Sequence, residues 1–263
     1  MPLTQLESDI LAEIAGNRTP ENYIAGGTVL HFEPNSSRYS RDLDIFHDAL
    51  EAVAPSFSQD RDSLERAGFE LEIIISQPGF IRAIVGRTAE TTQIDWARDS
   101  AWRFMPAVQH EKGGFMLHPV DVATNKMLAL AGRNEPRDYV DALQIFKSIL
   151  PLGPLVWASV AKDPGYSPGS LLENLRRQGR HRRQDYKRLD LAQPFDPVDA
   201  KNRWSEALES AADFIASRPP EESGCLYWDS STKQFVQPAP GNEAHSIPHY
   251  GRAGGILPRP SQI

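Results

Sequence analysis

The sequence predicts an α+β protein: a mixed β-sheet flanked by helices, followed by a helical C-terminal half. Three observations carry that reading. Three runs rich in β-branched or aromatic residues, Phe69 to Ile75, Phe80 to Gly86 and Thr92 to Trp96, follow one another closely. Asp42-Leu43-Asp44-Ile45-Phe46 alternates polar and apolar positions, as a strand with one buried face does. Beyond Pro119 the apolar period becomes helical, with 119 to 131 and 136 to 149 forming a hairpin around Gly132-Arg133-Asn134-Glu135.

Taken in order, Leu6, Ile10, Leu11 and Ile14 recur at helical spacing before Gly16-Asn17, so residues 4 to 15 read as an amphipathic helix. Tyr23-Ile24-Ala25 reads as a strand, and Gly26-Gly27-Thr28 as the turn leading from it toward the second strand at Asp42 to Phe46. Residues 48 to 67 read as a helix. With the three runs above, a mixed sheet of about five strands is implied. Pro136 suits the first turn of the second hairpin helix. Further helices are expected near 154 to 161, 168 to 179 and 197 to 217. Past Pro219 the chain is dense in Pro, Gly and Ser, and only Cys225 to Val236 resembles a hairpin, turning at Asp229-Ser230-Ser231-Thr232. Residues 238 to 263 read as a loose tail or a partner-binding arm. The expected organisation is therefore 1 to 117, 118 to 218 and 219 to 263.

Composition bounds the function classes. A chain of 263 residues, 40% apolar and 24% charged, can bury a substantial core and is far from the profile of disorder. No window approaches the roughly 18 uncharged apolar residues of a membrane span, and MPLTQLESDILAEIAG is acidic rather than signal-like. A cytoplasmic protein with no membrane partner is expected. The single cysteine, Cys225, excludes an internal disulfide and a paired-thiol zinc site. The net charge of −7 argues against indiscriminate nucleic-acid binding while permitting a local basic patch.

Asp42 and Asp44 project from one face of their strand, with Leu43, Ile45 and Ile24 expected on the opposite, buried face. Two carboxylates held side by side repel unless a cation lies between them, and hard divalent ions such as magnesium take oxygen ligands. Gly26-Gly27-Thr28 lets backbone amides approach a phosphate, with the threonine hydroxyl as an added donor; a tight strand-to-helix turn is the alternative. Asp95 lies in the apolar run Gln93-Ile94-Asp95-Trp96, where a carboxylate requires a partner. It is either a third metal ligand or the ion-pair partner of an arginine such as Arg98 or Arg103. Glu72 and Asp99 compete for the third position.

Gly26-Gly27-Thr28 followed by Ser40-Arg41-Asp42-Leu43-Asp44-Ile45-Phe46 resembles the GG(T/S)…(S)xDxD signature of polymerase-beta-type nucleotidyltransferases. Lys126-Met127-Leu128-Ala129-Leu130, Arg133 and Pro136-Arg137-Asp138-Tyr139-Val140-Asp141 are similar to the K-x-x-A-L-x-x-R-x-x-x-R-D-x-x-D stretch of the AbiEii/AbiGii-like toxin branch. The resemblance spans roughly residues 22 to 147. It implies a nucleotidyltransferase-type mixed sheet, a helical second domain, and two Mg2+ (or Mn2+) ions. It also implies transfer of a nucleoside monophosphate from a nucleoside triphosphate to a hydroxyl or similar acceptor. Some relatives modify RNA or protein and act as toxins neutralised by an antitoxin partner. His31-Phe32-Glu33-Pro34-Asn35 stands where the family has a helical turn of small apolar residues.

On this reading Asp42, Asp44 and Asp95 hold the metals, and Asp95 could also accept the acceptor's proton. Gly26, Gly27, Thr28, Ser40 and Arg41 line the nucleotide. Lys126 and Arg133, seven apart, share one helix face and bind the triphosphate, a solvated face being the alternative. Asp138 and Asp141 hold those cations by ion pairs, or Asp138 acts on the substrate directly. Outside the resemblance, Arg176, Arg177, Arg180, Arg182, Arg183, Lys187 and Arg188 crowd thirteen residues with one acid, Asp185. They suit an RNA backbone, an acidic partner or a plain solvated surface. A nucleotidyltransferase fold that has lost turnover and survives as a binding or regulatory module is the main alternative to an enzyme. A small-molecule acceptor is the other.

Overall fold

The strand carrying Asp42 and Asp44 lies at the centre of a seven-stranded mixed sheet. The structure is a computed structural model that describes residues 3–32, 36–40, 42–238 and 245–258. The strands up to residue 116 are β1 (Asn22–Ala25), β2 (Asp42–His47), β3 (Glu70–Gln77), β4 (Phe80–Arg87), β5 (Glu90–Arg98), the two-residue β6 (Trp102–Arg103), which lies outside this sheet, β7 (Val108–His110) and β8 (Gly114–Met116). The order is β3-β4-β5-β2-β1-β8-β7. β2 pairs in parallel with β5 and β1 with β8, while the remaining pairs are antiparallel. The sheet thus has seven strands where about five were expected. The additions, β7 and β8, are three residues each, too short to show any period.

Two helices cover the buried face. α1 (Gln5–Ile14) is started by a reciprocal cap in which the Glu7 amide donates to Thr4 Oγ1 at 3.1 Å and the Thr4 amide to Glu7 Oε2 at 2.8 Å. After the short α2 (Gly26–Leu30) comes α3 (Val53–Arg66). Leu6, Ile10, Leu11 and Ile14 of α1 and Val53, Phe57 and Leu64 of α3 pack on Ile24, Leu43, Ile45, Ile94 and Trp96 of the sheet. This apolar burial is the main stabilising term of the unit. Asp60, buried in α3, locks the layer to the sheet: it accepts Trp96 Nε1–H at 2.7 Å and Asn17 Nδ2–H at 2.8 Å and pairs with Arg18. Because that core takes Leu43 and Ile45, the alternate residues Asp42 and Asp44 must face the other way.

Gly26-Gly27-Thr28 forms the first turn of α2 and not an open loop between two strands. Gly26 turns the chain out of β1 with φ 63°, after which residues to Leu30 wind helically. Leu30 and the fully buried Thr28 anchor that turn, so packing overrides the low helix propensity of two glycines.

The chain forms two compact units, Met1–Val122 with Ala253–Gly255, and Ala123–Arg252 with Ile256–Ile263. The second contains most of α4 (Pro119–Arg133), then α5 (Pro136–Ser148), α6 (Leu152–Ser159), α7 (Pro168–Arg176), α8 (Arg183–Tyr186) and α9 (Pro197–Ser217). β9 (Leu226–Asp229) and β10 (Gln234–Phe235) make the hairpin expected around Asp229. Within the stretch read as a loose tail or arm, β11 (Ser246–His249) pairs along all four residues of β9. Trp157, Phe214, Cys225 and Tyr227 form the core beneath this small sheet. Among the described residues no helix is long and apolar enough to cross a membrane.

Candidate active site

The alternation of β2 delivers both aspartates to the open face of the sheet, with Leu43 and Ile45 wholly buried behind them. In register, Asp44 lies beside Asp95 of β5 and beside Ala25 of β1, and Asp42 lies beside Gln93. Three candidate carboxylates therefore share one face on two neighbouring strands. Asp44 also meets the glycine turn directly: a Cβ built on Gly26 would sit 1.8 Å from Asp44 Oδ2 and 2.7 Å from its Cγ. Only a residue without a side chain lets this carboxylate lie over the head of α2, and the positive φ of Gly26 demands glycine independently.

Asp95 is taken by an arginine, and the arginine is neither Arg98 nor Arg103. Arg82 of β4, its register partner, grips it bidentately, Nε to Oδ1 at 2.8 Å and Nη2 to Oδ2 at 2.6 Å. Gln93 Nε2 adds a bond to Asp95 Oδ1 at 3.2 Å. The Asp95 hydrogen bonds hold the Arg82 guanidinium above its ordinary pKa, and the charges of Asp95, Asp42 and Asp44 add to that effect. Arg103 instead pairs with Asp48 at 2.7 Å. Among the described residues no three His, Cys, Asp or Glu side chains form a ready-made metal cage. The oxygen donors that β2 brings to one face are Asp42 and Asp44. That set fits Mg2+, which is commonly held by one or two carboxylates, waters and substrate phosphates, without an all-protein cage.

The hydroxyls of Thr28 and Ser40 both turn to the start of β2. Thr28 Oγ1 donates to Asp42 O at 3.0 Å, and Ser40 Oγ lies 3.1 Å from Asp42 O and 3.4 Å from Asp42 Oδ1. Their visible work is to position Asp42. Gly27 sits under Arg38, its added Cβ falling 3.2 Å from an Arg38 guanidinium nitrogen and 3.1 Å from Ser40 Oγ. Behind them the buried His31 ring bonds the Ser36 hydroxyl. Arg41 and Glu33-Pro34-Asn35 lie outside the described residues.

In the second unit, Lys126, Arg133, Asp138 and Asp141 form one balanced quartet across the α4–α5 hairpin. Lys126 Nζ lies 2.8 Å from Asp141 Oδ2 and 3.4 Å from Asp138 Oδ1; Arg133 grips Asp138 through Nε at 2.5 Å and Nη2 at 2.9 Å. Asp138 and Asp141 are wholly buried and the Lys126 side chain is 9% exposed, whereas Arg133 is 48% exposed. Burial by itself would raise the Asp138 carboxyl; the Arg133 hydrogen bonds and the Lys126 charge outweigh it and hold the pKa below the usual value. A plain solvated helix face is thereby excluded for Lys126, and Arg133 is the member that faces outward.

Arg82 and Arg38 escaped the sequence reading. For Arg82 a signal existed: β4 and β5 join through a two-residue turn, Thr88-Ala89, and counting back from that turn places Arg82 opposite Asp95. Arg38 precedes β2 in an irregular stretch and offers no periodic signal.

No family model matches this sequence, and no curated protein matches it. Solved structures match it in shape. MenT4 of Mycobacterium tuberculosis H37Rv, named a nucleotidyltransferase toxin, superposes with a TM-score of 0.56 at 17% identity, over 79% of this chain and 82% of its own. JHP933 from Helicobacter pylori superposes with a TM-score of 0.51 at 14% identity, over 81% of this chain and 95% of its own. The chain shares its fold with these structures, one of them named a nucleotidyltransferase toxin, in line with the resemblance its motifs carry.

Proposed function

We propose that this chain is a metal-dependent nucleotidyltransferase that moves a nucleoside monophosphate from a nucleoside triphosphate to an acceptor. The observation that carries the reading is the seat of the Asp44 carboxylate on Gly26, which joins the aspartate pair and the glycine turn at one place on a nucleotidyltransferase fold. Such juxtaposition is what the chemistry requires: anionic ligands for the cation beside backbone amides that a phosphate can approach.

Each residue then has a part. Asp42 and Asp44 hold Mg2+ or Mn2+, and Thr28 and Ser40 fix the start of the strand that presents them. A bound divalent ion supplies charge neutralisation at the reacting phosphate and lowers the pKa of the attacking hydroxyl. Gly26 and Gly27 let the triphosphate come close to the head of α2. Asp95 serves as the third carboxylate, or accepts the acceptor's proton, once Arg82 releases it. Lys126 is held by Asp138 and Asp141 as a fixed positive charge, and Arg133 reaches solvent for the triphosphate. Asp138 acts in this reading through Lys126 and Arg133. RNA, protein and small-molecule acceptors are all compatible with these roles, as is a toxin-like role opposed by an antitoxin partner.

The test is thermal stability of the purified protein with each of the four ribonucleoside triphosphates, with and without magnesium. A magnesium-dependent rise for at least one triphosphate supports the reading, since a ligand at 100 times its Kd stabilises by about 2.7 kcal/mol. No rise with any of them leaves a non-catalytic binding module.

A further inference from the structure

The proposed chemistry leaves the basic segment 176–188 unused. All seven of its cations are exposed on a chain whose net charge is −7. Arg176 is engaged by Glu173 at 3.2 Å; among the described residues the other six form no ion pair. Like charges crowded in this way repel one another, so an ordered arrangement of them needs an anchor. The anchor is aromatic and lies beneath. Tyr186 is buried against Phe195 and His181, with ring centroids 4.6 and 5.8 Å apart, and His181 lies 6.1 Å from Tyr139 of α5. Gly179, with φ 78°, passes so close over Tyr139 that a Cβ would fall 2.4 Å from its ring. The aromatics face inward and hold the loop, while the cations face outward.

The same loop is tied to the turn that carries Arg133. Gln178 Nε2 donates to Ala131 O at 3.3 Å, and the Gly179 amide to Asn134 Oδ1 at 3.4 Å. The polycationic surface is therefore built beside the outward-facing member of the Lys126–Asp138 quartet. With its aromatic rings buried, the segment offers no platform for unstacked bases, which single-strand binders use. What it offers is a row of guanidinium and ammonium groups for phosphates.

We propose that residues 176–188 form a phosphate-tracking surface for the backbone of double-helical nucleic acid, which brings the acceptor of the transfer reaction to the enzyme. The acceptor role rests on the transferase reading above; the binding surface does not. Each phosphate neutralised on a duplex adds about 0.9 to the slope of log affinity against log salt, so six cations give an affinity loss of about 1,000-fold between 50 and 200 mM salt.

The experiment is fluorescence anisotropy of the full chain with a labelled RNA hairpin and with a DNA duplex of the same sequence, without triphosphate or metal. The comparison protein carries Arg177→Ala, Arg180→Ala, Arg183→Ala and Arg188→Ala, all exposed positions. Wild type should bind with the steep salt dependence, and the variant's loss over the same range should shrink to about ten-fold. Lysine at the same four positions should retain binding, and the RNA and DNA arms identify which duplex is preferred. Equal binding by the alanine variant and wild type overturns the proposal. Failure of wild type to bind either duplex overturns it as well. Magnesium-dependent triphosphate stabilisation, measured in parallel, should be unchanged in the variant. Its absence from wild type would sink the transferase reading while leaving the nucleic-acid surface standing.

Discussion

Replacing Gly26 by alanine tests the join between the glycine turn and the aspartate pair. The new Cβ would lie 1.8 Å from Asp44 Oδ2 and 3.0 Å from Asp44 Cβ, so the carboxylate has to leave its seat. Holding a residue with a side chain at φ 63° costs about 1–2 kcal/mol, and forcing Asp44 away from its rotamer about 1 kcal/mol more. The sum, about 2–3 kcal/mol, corresponds to a fall of roughly 4–12 °C in Tm for a protein of this size. Differential scanning fluorimetry measures it directly. Gly132→Ala is the control, since nothing lies within 4 Å of its added Cβ and it sits inside a helix, where alanine is favoured by about 1 kcal/mol. The Gly26 variant should also lose magnesium-dependent triphosphate stabilisation while keeping its circular dichroism spectrum. A Gly26→Ala protein with unchanged Tm and intact triphosphate response refutes the reasoning.

Two further predictions concern buried charge. His47, at the end of β2 and fully buried, is pushed down to about 4, first by burial. Unfolded histidine titrates near pH 6.5, so between those values the unfolded chain binds the extra proton. His47 therefore leaves stability intact above about pH 6.5 and withdraws up to about 3 kcal/mol as pH falls to 4. Urea titrations of wild type and His47→Gln at pH 7.5 and 4.5 should show a smaller difference for the variant; parallel pH profiles would contradict this. Asp138→Asn removes a wholly buried carboxylate that pairs with Lys126 and Arg133, and should destabilise the second unit by about 3 kcal/mol at pH 7. Because the folded Asp138 carboxyl is held below its unfolded pKa, its contribution is complete above about pH 4 and is lost as pH falls through the folded value. Denaturant midpoints across pH 3 to 7 check both magnitude and direction, and an unchanged midpoint at pH 7 would show the quartet to be energetically idle.

The placement of the candidate residues was legible where local periodicity sets it. A strand of period 2 with Leu43 and Ile45 on one side fixes the side on which Asp42 and Asp44 emerge, and a helical hairpin with Lys126, Arg133, Asp138 and Asp141 at hairpin spacing brings opposite charges together. What sequence did not show depends on pairing between segments. The Arg82–Asp95 grip requires the register of β4 on β5, and the reading of 80 to 86 and 92 to 96 as strands left the tight turn at Thr88-Ala89 unseen. β7 and β8 join the sheet by backbone bonds to β1 and each other, which leave no mark on side-chain patterning. At Gly26 two glycines fit either a loop between strands or a strand-to-helix turn; burial of Thr28 and Leu30 decides for the helix. β11 is polar and proline-containing, and only its pairing with β9 reveals it as a strand.

On the function proposed above, Asp42 and Asp44 bind a divalent ion together with a nucleoside triphosphate. Isothermal titration of wild type and the Asp42→Asn, Asp44→Asn double variant with each magnesium triphosphate tests it most directly. The expected result is binding of at least one triphosphate by wild type, abolished both by removing magnesium and by the double variant, with the fold retained. Triphosphate binding that persists undiminished in the double variant would contradict the claim.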